Sequence, residues 1–340
     1  MVNSFCKSIA VLVLRLALKR YFNFLMLCMV LFLSACVPDS EPPLRIGTNT
    51  WPGYEPLYLA RSLGHYDDTA IKLVELNSAS EVIHALRSGN LEGATLTLDE
   101  TLTVIEDGFD LKVILVMDFS NGGDVLLAKP YIKTLDELRG KKIAVEYTAV
   151  GALVLDGALQ HAQLTAGDIE IVACSLDEQI SCYEQVDAVV TFEPEKTKLM
   201  ALGAKILFDS SQIPGRIVDV LVVKKQVLAR SPKALKQLIS GYFKARVYLN
   251  EFPQKAGALM GMRLQLSTSQ LLRAYEGLKL PDLSQNHVLL SGEPSPLNQT
   301  ANSLALLMTK KKFLKSQLIL NKLTDNTFLP KDMYEARSKP

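Results

Sequence analysis

From Leu44 onward, short apolar runs alternate with stretches whose apolar residues recur at helical spacing. Residues 44–47, 71–76, 94–98 and 113–117 read as strands, and 55–63, 81–87 and 99–107 as the helices between them. Ser120-Asn121-Gly122-Gly123-Asp124 then breaks the pattern with turn-forming residues. Beyond it the alternation resumes, with strands expected at 142–146, 169–173, 188–192 and 204–208 and helices at 134–138, 151–164 and 194–202. A second interruption at 209–216 precedes a strand at 218–223, and from Pro232 the spacing of Leu235, Leu238, Ile239, Tyr242, Phe243 and Val247 is helical. Such alternation calls for largely parallel sheets with helices on both faces. The expected fold class is α/β, in two series followed by a helical segment, with no clear internal repeat.

The first 43 residues stand apart. Lys19 and Arg20 precede an uncharged, mainly apolar stretch at 21–33, which runs into Ser34-Ala35-Cys36. This is the order of a secretory signal, and its apolar stretch is shorter than the roughly 20 residues of a bilayer-spanning helix. Leu33-Ser34-Ala35-Cys36 resembles the lipobox of bacterial lipoproteins, which implies cleavage of 1–35 and acylation of Cys36. Lipidation at both the thiol and the new amino terminus would supply the two signals that stable anchoring takes. The alternative is a soluble secreted protein cut near the same place. Residues 36–43 would form a short, stiff, Pro-containing tether.

Charge and cysteine content change meaning once that segment is set aside. The 340 residues carry 37 Lys+Arg and 36 Asp+Glu, yet Lys7, Arg15, Lys19 and Arg20 all fall in the acid-free first 35 positions. The remainder is mildly acidic, which argues against a nucleic-acid partner reached through bulk charge. Cys6 and Cys28 would leave with the signal and Cys36 would be lipidated, so Cys174 and Cys182 remain. An oxidising compartment permits a disulfide between them, two buried thiols being the alternative. Their spacing suits no zinc site, and no metal or cofactor is expected.

In open α/β sheets ligands bind beyond the carboxyl ends of the strands. That rule selects 48–55, 77–81, 98–101, 118–124, 146–151 and 191–195, loops that contain Glu55, Glu81, Asp99, Glu100, Asp118, Asp124, Glu146, Glu193 and Glu195 but no Lys or Arg. Anionic groups are held by Arg forks, Lys charges and helix N-termini, so a cleft of this composition repels a simple anion. The expected ligand is small and neutral, zwitterionic or cationic. Its expected contacts are Trp51, Tyr54, Ser80, Asp99, Asp118, Asp124, Glu146 and Glu193. Trp51, the only Trp, and Tyr54 flank a Pro-Gly turn that directs side chains toward a cleft, the alternative being a lid packed on the core. On the cleft reading, Trp51→Ala abolishes binding and leaves the ligand-free melt nearly unchanged. Ser78 and Glu81 form an S-x-x-E capping pattern.

The run Thr48-Asn49-Thr50-Trp51-Pro52-Gly53-Tyr54-Glu55-Pro56-Leu57-Tyr58-Leu59-Ala60-Arg61 resembles the opening of the nitrate/sulfonate/taurine group of periplasmic substrate-binding proteins, which includes binders of thiamine precursors. Ser78-Ala79-Ser80-Glu81, Ala85-Leu86-Arg87-Ser88-Gly89 and the stretch from Val186 to Pro194 are similar to that group's later landmarks. The resemblance spans roughly 44–257. It implies a type II periplasmic-binding fold, two α/β lobes joined by two hinge crossovers, with lobe 1 at 44–120 and 213–340 and lobe 2 at 121–212. It also implies a monomer in the periplasm, which the lipobox resemblance would anchor by lipid to a bacterial membrane, and which delivers ligand to an ABC permease or, alternatively, signals to a membrane kinase or cyclase. The loop charges depart from the group's anionic ligands. No G-x-S-x-G, H-E-x-x-H, P-loop or G-x-G-x-x-G occurs, and His65, His84, His161 and His287 are scattered. The resemblance extends to fungal thiamine-pyrimidine synthases, whose Cys-rich motif is missing here, so a binding protein rather than an enzyme is expected.

Overall fold

A computed structural model describes residues 18–22, 26, 41–146 and 149–331. The proposed lipidation position Cys36, most of the signal segment and Thr148 lie outside the described residues. The chain divides into units 1–41 and 42–340; in the first, residues 18–22 and 26 are helical. Among the described residues no helix is long and apolar enough to cross a membrane.

Two sheets organise the second unit. β1 (Leu44–Thr48), β2 (Ile71–Glu75), β3 (Gly93–Thr97) and β4 (Leu111–Ser120) enter the first sheet, and β5 (Val125–Ala128), β6 (Lys142–Val145), β7 (Glu170–Ala173), β8 (Ala188–Thr191) and β9 (Lys205–Asp209) build the second. β10 (Val218–Lys224) and β11 (Leu278–Lys279) then return to the first. The strand orders are β11-β4-β10-β3-β1-β2 and β7-β6-β8-β5-β9. This is a mixed α/β protein of two lobes with two hinge crossovers and a helical C-terminal segment, the periplasmic-binding fold.

The expectation of largely parallel sheets needs correction. β1 runs parallel to β2 and β3, and β6 to β7 and β8, but β10 and β5 are antiparallel to both neighbours. The crossovers are the cause. Each returning strand starts at the hinge, where the parallel strands end, and must run against them. The pattern also missed β5, whose four residues are all buried and follow directly on the hinge turn, and it read as a helix at 134–138 what is a short 3₁₀ turn, Leu135–Leu138.

Packing holds the hinge-facing strand ends in place. Val113 to Met117 of β4 are fully buried in the same core as Leu238, Ile239, Tyr242 and Phe243 of the helix Pro232–Glu251, and the Tyr242 hydroxyl donates to Met117 O at 3.1 Å. The second lobe has its own core around Leu126, Ile143, Val154, Ala158 and Phe208. Cys174 and Cys182 are joined as a disulfide, tying the end of β7 to the helix Gln179–Gln185.

Candidate ligand-binding cleft

The first site element is the turn after β1. Trp51 is extended, Pro52–Tyr54 form one 3₁₀ turn, and the helix Glu55–Ser62 follows with Pro56 in its first turn, where a missing N–H costs nothing. C-terminal helices hold this turn down. Tyr275 Oη donates to Pro52 O at 2.7 Å, and Arg263 Nε lies 3.2 Å from both Glu55 oxygens. Gly53 is needed here, because a Cβ at that position would fall 1.8 Å from Asp118 Oδ2. The turn therefore lies directly across the end of β4.

Both aromatic side chains of the turn are tied to buried acids. Trp51 Nε1 donates to Asp118 Oδ2 at 3.1 Å, and the Tyr54 hydroxyl donates to Asp219 Oδ1 at 2.5 Å. The Trp51 ring also meets Phe192 edge-on, with centroids 5.5 Å apart and planes at 84°. Phe192 follows β8, so the indole reaches from one lobe to the other.

Between the lobes lies a cavity. The first lobe contributes Trp51, Tyr54, Glu100 and Asp219 with Asn49, Ala79 and Thr97; Asp124, Glu146, Val150 and Phe192 close it from the other side. The cavity volume is about 340 Å³, including the part that opens to solvent.

Among the described residues the lining includes four carboxyls and no Lys or Arg. Burial pushes Glu146 and Asp118 up to about 7 and Asp124 up to about 6. Burial also raises Asp219 and Asp99, each helped by a neighbouring carboxylate, Asp118 and Glu100 respectively. Glu100 is raised by burial too, against the opposing hydrogen bonds of its capping box with Thr97. Lys196 and Arg246 relieve Asp124 and Asp118 only in part. The Lys196 ammonium is bonded to Gly122 O at 2.9 Å, and Arg246 to Leu280 O and Pro281 O at 3.2 Å. Glu100 Oε1, Asp118 Oδ1, Asp124 Oδ2, Asp219 Oδ2 and both Asp99 carboxyl oxygens accept no hydrogen bond within the protein. Buried acceptors without donors are costly, and a donor-rich cation placed among them would relieve that cost.

The structure brings Trp51, Tyr54, Asp124 and Glu146 together on the cavity wall and puts Asp118 immediately behind Trp51. Three sequence candidates are displaced. Ser80 is exposed on the helix Ala79–Arg87; Ser78 caps that helix by accepting from Glu81 N at 3.2 Å, and Ala79 faces the cavity instead. Asp99 is fully buried beside Glu100 and does not line the cavity, because the helix Leu98–Glu106 starts with Glu100 at the wall. Glu193 folds over the start of its own helix, accepting from Thr197 N at 3.1 Å with Lys196 at 4.0 Å, which leaves the wall to Phe192. Asp219 is the acid the loop rule missed, since it lies inside a strand. Its signal was a lone acid in the otherwise apolar run Val218-Asp219-Val220-Leu221-Val222-Val223.

Two lobes, two crossovers and a cavity between the lobes at the hinge define a protein of the periplasmic-binding class. More particularly, the chain belongs to the NMT1/THI5 like family, whose model matches residues 51–256. It is similar to the taurine-binding periplasmic protein of Escherichia coli (strain K12), with 25% identity over 167 residues, 48% of this chain and 52% of that protein. The match thus spans about half the length of that relative. Among solved structures, the periplasmic aliphatic sulphonate binding protein of Escherichia coli superposes with a TM-score of 0.70 at 16% identity, covering 86% of this chain and 95% of that one. A desulfurization enzyme superposes with a TM-score of 0.59 at 16% identity, covering 84% and 97%. Likeness at these identities establishes the fold, and that fold carries both binding proteins and an enzyme.

Proposed function

We propose that this protein is an extracytoplasmic solute-binding lipoprotein, held at a bacterial membrane through Cys36, that captures a small positively charged ligand between its lobes and delivers it to an ABC permease. The observation that carries this reading is the cavity itself, walled by Trp51, Tyr54 and Phe192 and by four carboxyls, with no basic residue among the described lining groups. The relatives support the transport role, being periplasmic binding proteins by name.

The chemistry of capture follows from the wall. A cation over an indole face gains about 0.5–2 kcal/mol, and its N–H groups would supply donors to the unpartnered oxygens of Glu100, Asp124 and Asp219. Because these groups belong to both lobes, a ligand that touches them all binds the closed form more tightly and shifts the population toward it. Taurine carries both an ammonium and a sulfonate. The described lining offers four carboxyls to the first and no cationic side chain to the second.

The reading is tested by thermal shift with 1,4-diaminobutane, taurine and ethanesulfonate. An amine that binds should stabilise the fold by about 2.7 kcal/mol at about 100 times its dissociation constant. Stabilisation by ethanesulfonate without stabilisation by the amine would overturn the charge assignment.

A further inference from the structure

Asp118 and Asp219 face each other across the neighbouring antiparallel strands β4 and β10, and both are sealed from solvent. Like charges directly opposite on paired strands repel. In so dry a site two adjacent carboxyls do not both ionise, and the stable arrangement holds one proton between them. The hydrogen bonds fit. Asp118 commits one oxygen to the Trp51 indole and Asp219 commits one to the Tyr54 hydroxyl, which leaves Asp118 Oδ1 and Asp219 Oδ2 with no other donor. One proton between the two free oxygens would complete both carboxyls and leave both aromatic walls fixed.

Resting on the reading that the ligand is a cation, we propose that Asp118 and Asp219 share one proton in the ligand-free cleft and release it to solvent when the ligand's positive group settles against Asp219. Capture is then coupled to proton release. Every element around the pair bears on it. Glu100 on the helix Leu98–Glu106, with Asp99 beside it, and Asp124 just before β5 are carboxyls that favour keeping the proton. Tyr54 and Trp51 donate from the turn, and Tyr242 and Tyr275 stand behind on C-terminal helices with their hydroxyls committed to Met117 O and Pro52 O. Arg246 is the cation acting on Asp118, and it already bonds two backbone carbonyls. A ligand cation supplies the positive charge this cluster lacks, and an opposite charge at close range favours the ionised carboxyl.

The test compares the full-length wild type with Asp118→Asn, whose amide keeps the shape, donates to Asp219 and removes the shared proton. Asp219→Asn removes the same proton and serves if the first variant does not fold. Urea unfolding is measured from about pH 5 to about pH 8, together with calorimetric binding of 1,4-diaminobutane in buffers of different ionisation enthalpy. The wild-type folding constant should fall about tenfold more per pH unit than the variant's where the pair titrates. Diamine binding should release about one more proton from the wild type than from the variant, with affinity rising correspondingly more steeply with pH. Equal proton release by the two proteins overturns the coupling and leaves the cationic ligand standing. Failure of the diamine to bind the wild type at any of these pH values, with ethanesulfonate binding instead, overturns the cationic reading and the coupling with it.

Discussion

Trp51→Ala is expected to weaken ligand binding strongly and also to destabilise the ligand-free protein. The second half reverses what the sequence suggests for a cleft aromatic with few core contacts. Trp51 is only 4% exposed. Its N–H serves Asp118, its edge packs on Phe192 across the cleft, and Gly123 sits so close that a Cβ there would lie 2.9 Å from the indole. Truncating a buried aromatic of this size typically costs about 3–5 kcal/mol, and Asp118 would also lose its donor. The loss of a ring face under the ligand adds about 0.5–2 kcal/mol to the binding deficit. Trp51→Phe separates the two effects. It keeps a ring on the wall but removes the N–H, and should cost about 1–3 kcal/mol of stability for the unpaired buried acceptor. Urea denaturation and calorimetry on the two variants measure these losses. An Ala variant that melts like the wild type would mean the indole is not packed as described.

Raising the pH from about 4 to about 8 is expected to lower the stability of the ligand-free protein, with a cationic ligand opposing the loss. The sign follows from the direction of the shifts. Asp124, Asp118 and Glu146 bind protons more tightly in the folded state, with values raised to about 6, 7 and 7. The folded protein thus holds more protons than the unfolded chain between the ordinary carboxyl range and pH 7. Their stabilising contribution is complete below pH 4 and is lost as the pH climbs through 6 and 7, at about 1.4 kcal/mol per pH unit for each proton. A bound cation favours the ionised carboxyls, so affinity rises over the same window. Glu146→Gln should flatten the stability profile near pH 7 and weaken cation binding together. A profile rising monotonically through this window would show that the carboxyls are paired with positive charge after all. This liability suits a binding site, where unrelieved charge costs stability and a ligand recovers it.

Much of this was legible in the residues. The Trp-Pro-Gly-Tyr turn, the acid-rich loops and the two interruptions of the α/β pattern locate the cavity, because strand ends and turn chemistry are local properties. What escaped depends on partners distant in sequence. Asp219 reaches the site only because β10 returns from the second lobe to lie between β3 and β4, a placement no local window shows. Glu193 and Asp99 carry the right charge at the right loops, but each is turned away by its own helix start, Glu193 onto Thr197 N and Asp99 behind Glu100. The helix expected at 81–87 starts two residues earlier, at Ala79, which puts Ala79 on the wall and turns Ser80 to solvent. The aromatic walls show the same division: Trp51 stands out as the lone Trp, whereas Phe192 becomes a wall residue only through its contact across the lobes.

The central claim, that the cleft captures a positively charged molecule, is tested most directly by identifying the natural ligand. The full-length protein is purified from its own cell envelope, denatured, and the released small molecule is identified by mass spectrometry, with its binding then confirmed on the refolded protein. The account predicts a molecule bearing at least one ammonium, amidinium or comparable cationic group near neutral pH. A nitrate, an alkanesulfonate or a carboxylate with no cationic group, recovered in proportion to the protein, would contradict it.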